Sequence, residues 1–208
     1  MNTFAFIDAS NLFYGGEKSL GWKIDYQKLF EYLKQKYGVS KVFYFGGVEI
    51  HDFSYDYQKD ETVPLKELEN HLIQLLKNQG KQTERGGAFA FRPASSARSL
   101  LPQAEKFGYK LFLKPVKFYK QDDGGMKKKA NCDVDLAFHL MKERDNFNRV
   151  IVLSGDGDFL PVLKFLKETG KEVIVLGRGA RTAKEIRQFA GSNFRDFEYL
   201  ETKIRYLE

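Results

Sequence analysis

Four aspartates in three short stretches could carry chemistry: Asp8 at the end of "TFAFID", Asp133 in "KANCDVDLAFHLM", and Asp156 and Asp158 in "SGDGDF". The last pair follows four consecutive aliphatic residues, Val150 to Leu153, and brackets Gly157. Two carboxylates so placed repel each other, and a site that excludes water would make their charge costly. A helix N-terminus offers a carboxylate only about 0.3–1 kcal/mol, too little for several charges at once. A hard divalent cation with oxygen ligands would offset them, and Mg²⁺ or Mn²⁺ suits an all-oxygen site that keeps waters. Each aspartate taken alone could instead cap a turn or a helix. Capping does not explain why three separate turns all carry acids. The "DGD" loop is no EF-hand, since it lacks the later Glu and enters "FLP" at once, and neither G-x-x-x-x-G-K-[ST] nor G-x-G-x-x-G occurs.

Positioning such a set requires alternating strands and helices. Strands are expected over 3–8, 41–47, 109–119, 149–153 and 172–176, and helices over 24–38, 63–80, 95–107, 132–146, 158–169 and 181–190. Residues 81–94 fit an edge strand or an ordered loop, and 120–131, "KQDDGGMKKKAN", forms the one loose segment. A βαβ series of this kind predicts an α/β fold with a mostly parallel sheet covered by helices, and sites in such sheets form outside the carboxyl ends of the strands. Asp8, Asp156 and Asp158 follow strands and Asp133 opens a helix, so distant segments would deliver carboxylates to one sheet edge. Asp133 shares a helical stripe with Leu136, Ala137 and Leu140 and is expected to face the sheet, whereas Asp135 lies about 200° around the helix and ranks second.

The chain has 208 residues, 42% of them hydrophobic, which is enough for one domain spanning 1–208. Its 34 Lys plus Arg against 28 Asp plus Glu give a net charge of +6, which favours anionic partners without demanding them. Cys132 is the single cysteine, so an intrachain disulfide and a multi-cysteine zinc site are excluded. That usage, the lack of a basic leader and the lack of any apolar run near the roughly 20 residues of a membrane span predict a cytoplasmic protein that enters no membrane. From Lys110 to Lys129 lysines alternate with Phe112, Phe118 and Tyr119, and the run leads into Asp133. Lys127, Lys128 and Lys129, with Arg178 and Arg181 after the strand at 172–176 and Ser154 in the acidic turn, are the candidate nucleic-acid contacts, because a phosphodiester backbone needs cations around such a pocket.

The segments "FIDASNL", "KANCDVDLAFHLM" and "VIVLSGDGDFLPVLKFLKETGKEVIVLG" resemble, in order, the signature blocks of the NYN domain family, PIN-like nucleases with bacterial LabA-like members. The resemblance implies a PIN-like three-layer α/β/α fold and Mg²⁺- or Mn²⁺-dependent cleavage of RNA. Asp8, Asp133 and Asp156 would be metal ligands, Asp158 a ligand directly or through water, and Asn11 a hydrogen-bonding neighbour of Asp8. The chain departs from the family in reading "DASN" where a glycine often follows the aspartate, and in carrying His139 where many relatives place another acid, for which Asp135 would compensate. The expected function is hydrolysis of phosphodiester bonds in RNA, preferably single-stranded because the scissile phosphate must reach a recessed pocket. The alternatives are an inactive PIN-like module that binds RNA or protein and, more weakly, a small-molecule phosphohydrolase; a homo-oligomer is compatible with either.

Overall fold

The computed structural model describes residues 1–48, 53–79, 107–120 and 125–207. Strand β1 (Thr3–Asp8) is buried along its whole length and passes into a helical segment, Ala9–Asn11, Leu12–Glu17 and Lys18–Leu20, whose middle piece is a π-helix. Helix α1 (Tyr26–Tyr37) begins where Asp25 Oδ1 accepts from the Lys28 N–H at 3.0 Å and ends at Gly38, whose φ of 66° only glycine adopts readily. Next come β2 (Val39–Val48), α2 (Leu65–Gln79), β3 (Tyr109–Pro115), β4 (Lys117–Lys120), β5 (Met126–Lys129), α3 (Asp133–Lys142), β6 (Arg149–Leu153) and α4 (Leu160–Glu168). Strand β7 (Glu172–Gly177), helix α5 (Lys184–Ala190), β8 (Phe194–Asp196) and α6 (Glu201–Ile204) complete the described chain.

Six of the strands form one sheet in the order β3-β2-β1-β6-β7-β8, and every neighbouring pair is parallel. Strict alternation divides its side chains between two cores. Ala5, Ile7, Tyr44, Ile151 and Leu153 face Leu29 and Leu33 of α1 on one side. Phe4, Phe6, Phe43, Phe45 and Val152 meet Leu136 and Leu140 of α3 and Leu163 and Leu166 of α4 on the other. The second face is a stack of rings, with Phe6 on Phe43 at 4.7 Å and Phe45 on Phe112 at 5.0 Å between centroids. Such pairs add about 0.5–1.5 kcal/mol each beyond their buried area. The result is a three-layer α/β/α architecture with a parallel sheet, as the alternating pattern and the PIN-like resemblance both implied.

Two expectations are corrected. The strand predicted over 109–119 breaks at Val116, whose N–H donates to Val48 O at 2.9 Å, so that only Tyr109–Pro115 joins the main sheet. The remainder turns away as β4 and pairs antiparallel with β5, Lys117 opposite Lys129, so the segment expected to be loose contains a strand. Strand β8 and the π-helical segment had no periodic signal: β8 has three residues, and Gly15 and Gly16 interrupt any apolar stripe in Leu12–Glu17. The edge strand or loop considered for 81–94 and the helix expected over 95–107, its last residue apart, lie outside the described residues.

Candidate active site

The chain runs from β1 outward to β2 and β3, then returns to lay β6 on the other side of β1. Strand order therefore reverses between β1 and β6, and the crevice outside the carboxyl ends of those two strands is where an open α/β sheet forms a site. Asp8 is the last residue of β1, and Ile7 is in register with Leu153, so the Ser154–Asp158 turn leaves β6 directly beside it. Period two places Asp8 on the face of Phe4 and Phe6, which α3 covers with Leu136 and Leu140. Asp133 opens that helix.

The turns are tied together by hydrogen bonds. Asp8 is 6% exposed, and its Oδ1 accepts from the Asn11 N–H at 3.0 Å. Ser154 Oγ donates to Asp8 Oδ2 at 3.0 Å and accepts from the Asp156 N–H at 3.2 Å. Asn11 Oδ1 accepts from the Gly155 N–H at 3.0 Å, joining the helical turn after β1 to the turn after β6. Asp156 Oδ1 accepts from the Asp158 N–H at 3.0 Å and so caps the 3₁₀ turn Gly157–Phe159. Burial pushes the Asp8 carboxyl up to about 6; the bonds from Asn11 and Ser154 pull it back, and the charge of Asp133 raises it further.

A second loop braces this turn. The Ala183 N–H donates to Gly155 O at 2.9 Å, and Thr182, which donates to Arg178 O at 2.8 Å, lies against Gly155 so closely that a Cβ there would come 2.6 Å from its Oγ1 and 2.9 Å from its Cα. Glu185, in the first turn of α5, reaches the same place, since a Cβ on Gly157 would come 2.5 Å from its Oε1. Glu185 was missed in the sequence, although an acid at the mouth of a helix after a parallel strand is the same signal that singled out Asp133.

Other expected residues fall elsewhere. Ser154 is 2% exposed, with its hydroxyl held between the Asp8 carboxylate and the Asp156 N–H. Arg178 is turned inward to Asp196, at 3.4 Å, and Glu198, at 2.7 Å, whereas Arg181 is exposed at the same edge. Asp135 pairs with Lys114 and, with His139, borders a separate cavity of about 180 Å³. His139 is buried against Phe112 at 4.0 Å and Phe45 at 5.5 Å, and burial lowers its pKa. Burial likewise pushes the Cys132 thiol up to about 12, as befits a small packing residue. Among the described residues no three His, Cys, Asp or Glu side chains are grouped to hold an ion.

The NYN domain family matches residues 70–198, more than half of the chain. The chain belongs to the NYN domain family. This NYN chain is 22% identical over 184 residues, 88% of its length and 76% of the relative's, to the low amplitude and bright protein LabA of Synechococcus elongatus. Its fold is similar to that of a protein of unknown function from Vibrio parahaemolyticus, with a TM-score of 0.60 and 16% identity over 99% of this chain and 96% of the other. A fainter likeness, to the T5 D15 protein co-crystallized with metal ions, has a TM-score of 0.42 and 14% identity over 90% of this chain and 59% of that one, too faint to bear on fold or chemistry. Among the described residues no helix is long and apolar enough to cross a membrane.

Proposed function

We propose that the chain is a metal-dependent ribonuclease that hydrolyses phosphodiester bonds of single-stranded RNA at the crevice between β1 and β6. The observation that carries this reading is the buried Asp8 carboxylate, raised to about 6, with Asp133 close enough to add to the rise and the Asp156 turn fastened to it through Ser154. Asp8 also caps the turn Ala9–Asn11, but the charged group acting on it is another acid rather than a cation, so its ionised form gains nothing from a charge partner. The donors offered are all hard oxygens, and Mg²⁺ is ordinarily held by one or two carboxylates with retained waters rather than by a closed protein cage. Asp8 and Asp133 would fill that role, with Asp156 and Asp158 reaching the ion through its retained waters. When bound, such a cation supplies Lewis-acid stabilisation of phosphoryl oxygens and acidifies water.

The chain's own residues do the positioning. Ser154 and the Asn11 N–H each occupy one Asp8 oxygen, fixing the plane of the carboxylate. Asn11, bonded to the Gly155 N–H, keeps the two turns at one spacing. Arg181 and Lys127, Lys128 and Lys129 are the cations proposed to draw a phosphate backbone to the edge, and single-stranded RNA is the substrate that a recessed crevice admits. The alternative, an inactive RNA- or protein-binding module, is favoured by the ion pairs that occupy Asp135 and Arg178. The two are separated by incubating labelled single-stranded RNA with the parent and Asp8→Asn in Mn²⁺ and in chelator. Cleavage by the parent in Mn²⁺ alone supports the enzyme; binding without cleavage in either condition sinks it.

A further inference from the structure

The antiparallel ribbon β4–β5 stands outside the main sheet as a separate two-stranded unit. We infer that it grips single-stranded RNA, with a base stacked on Tyr119 and flanking phosphates held by Lys117, Lys127 and Lys129. Only the substrate class rests on the ribonuclease reading.

Register supplies the first support. Lys117 is opposite Lys129 and Tyr119 is opposite Lys127, so period two gathers these four residues on one face of the ribbon and leaves Lys128, opposite Phe118, on the other. The run of lysines is thus split by the fold: only its two alternate members share a face with the tyrosine, and Lys117, from the other strand, joins them. Tyr119 is 51% exposed at the centre of that face. Like charges directly opposite each other destabilise a sheet, and a two-stranded ribbon is marginal by itself. Neither strand, "KFYK" or "MKKK", contains a carboxylate. An anionic chain laid along the face would offset the repulsion, and a row of three cations suits successive phosphates better than a single one.

Anchoring supplies the second. The feet of the ribbon are Val116 and Ala130, and both stand on Gly47 of β2, where a Cβ would come 2.6 Å from Ala130 Cβ and 2.9 Å from Val116 Cγ2. Gly47 lies two residues beyond Phe45, the partner of Asp8 in register, and Asp133 follows Ala130 by three residues. The ribbon is therefore seated beside the acidic edge, and a strand lying along it leads to the carboxylates. An exposed tyrosine among lysines is the arrangement that binds unpaired bases, because a paired base has no free face to offer.

The test is binding, kept apart from cleavage by working in chelator. A labelled single-stranded oligoribonucleotide and the corresponding duplex are titrated across a salt series with the parent, Tyr119→Phe, Tyr119→Ala and the triple variant Lys117→Ala/Lys127→Ala/Lys129→Ala. Tyr119→Ala is expected to bind the single strand about tenfold more weakly with an unchanged salt slope, since stacking is not ionic, while Tyr119→Phe matches the parent. The triple variant is expected to flatten the salt slope by about 2, at roughly 0.7 per phosphate contact. The parent is expected to bind duplex more weakly than single strand. Tyr119→Ala binding like the parent, a preference for duplex, or no RNA binding by the parent overturns the inference. If Tyr119→Ala weakens binding and the parent never cleaves in Mn²⁺, the ribbon's role stands and the ribonuclease reading falls; if the parent cleaves and no ribbon variant alters binding, the reverse holds.

Discussion

Ser154 Oγ donates to Asp8 Oδ2 at 3.0 Å, which ties a residue that directly follows β6 to the last residue of β1 through two buried side chains. Through the same oxygen it accepts from the Asp156 N–H at 3.2 Å. Ser154→Ala would leave one Asp8 oxygen and the Asp156 N–H without this partner. The expected cost is about 1–3 kcal/mol in chemical denaturation, together with reduced Mn²⁺ affinity by calorimetry. Ser154→Thr, which keeps the hydroxyl, should recover part of both.

The raised Asp8 pKa has a pH signature. Its folded value of about 6 lies above the ordinary 3.8, so the folded state holds the proton more tightly. Stability contributed by the protonated form is present at low pH and is lost as pH rises through that window toward 6. At pH 7 without metal the ionised, buried group costs about 3 kcal/mol, from roughly 1.4 kcal/mol per pKa unit. Asp8→Asn should be more stable than the parent at pH 7 in chelator, and the gap should close near pH 4. Equal stability of the two proteins at both pH values would rule out the buried charge.

Divalent metal should reverse that order. A ligand that binds only the folded state must stabilise it, so Mn²⁺ is expected to raise the melting temperature of the parent and to leave Asp8→Asn unchanged. Asp135→Asn should respond to Mn²⁺ like the parent, because its carboxylate is engaged with Lys114. An Asp135→Asn protein deaf to Mn²⁺ would restore Asp135 to the ligand set.

Gly155 leaves no room for a side chain. A Cβ there would come 2.9 Å from Thr182 Cα, a backbone atom that cannot swing aside. Gly155→Ala should cost about 1–3 kcal/mol by overpacking and should abolish cleavage by shifting the turn that carries Asp156. Thr182→Ser in the same chain should not rescue it, since the backbone clash remains.

The two arginines at this edge should behave oppositely. Arg178→Ala removes pairs to Asp196 and Glu198 and is expected to lower the melting temperature with little change in RNA affinity. Arg181→Ala, at an exposed position, should leave stability unchanged and reduce the salt slope of RNA binding by about 0.7.

The sequence by itself determined the layers and the edge. Apolar runs such as Val150–Leu153 are strands because both their faces are buried, helical stripes separate them, and parallel connection then forces Asp8 and the "SGDGDF" turn to one end of the sheet. Two of the three NYN blocks, at 129–141 and 150–177, fall within the residues that the family matches. Only the tertiary structure decided which side chains at that edge meet. Exposure at turns is poorly legible in sequence, and hydrogen bonds to neighbours 146 and 18 residues away draw Ser154 and Arg178 inward. Glu185 reaches the acidic turn only because Gly157 lacks a Cβ. The lysine run became a ribbon with two different faces because strand pairing and its register choose which alternate residues stand together.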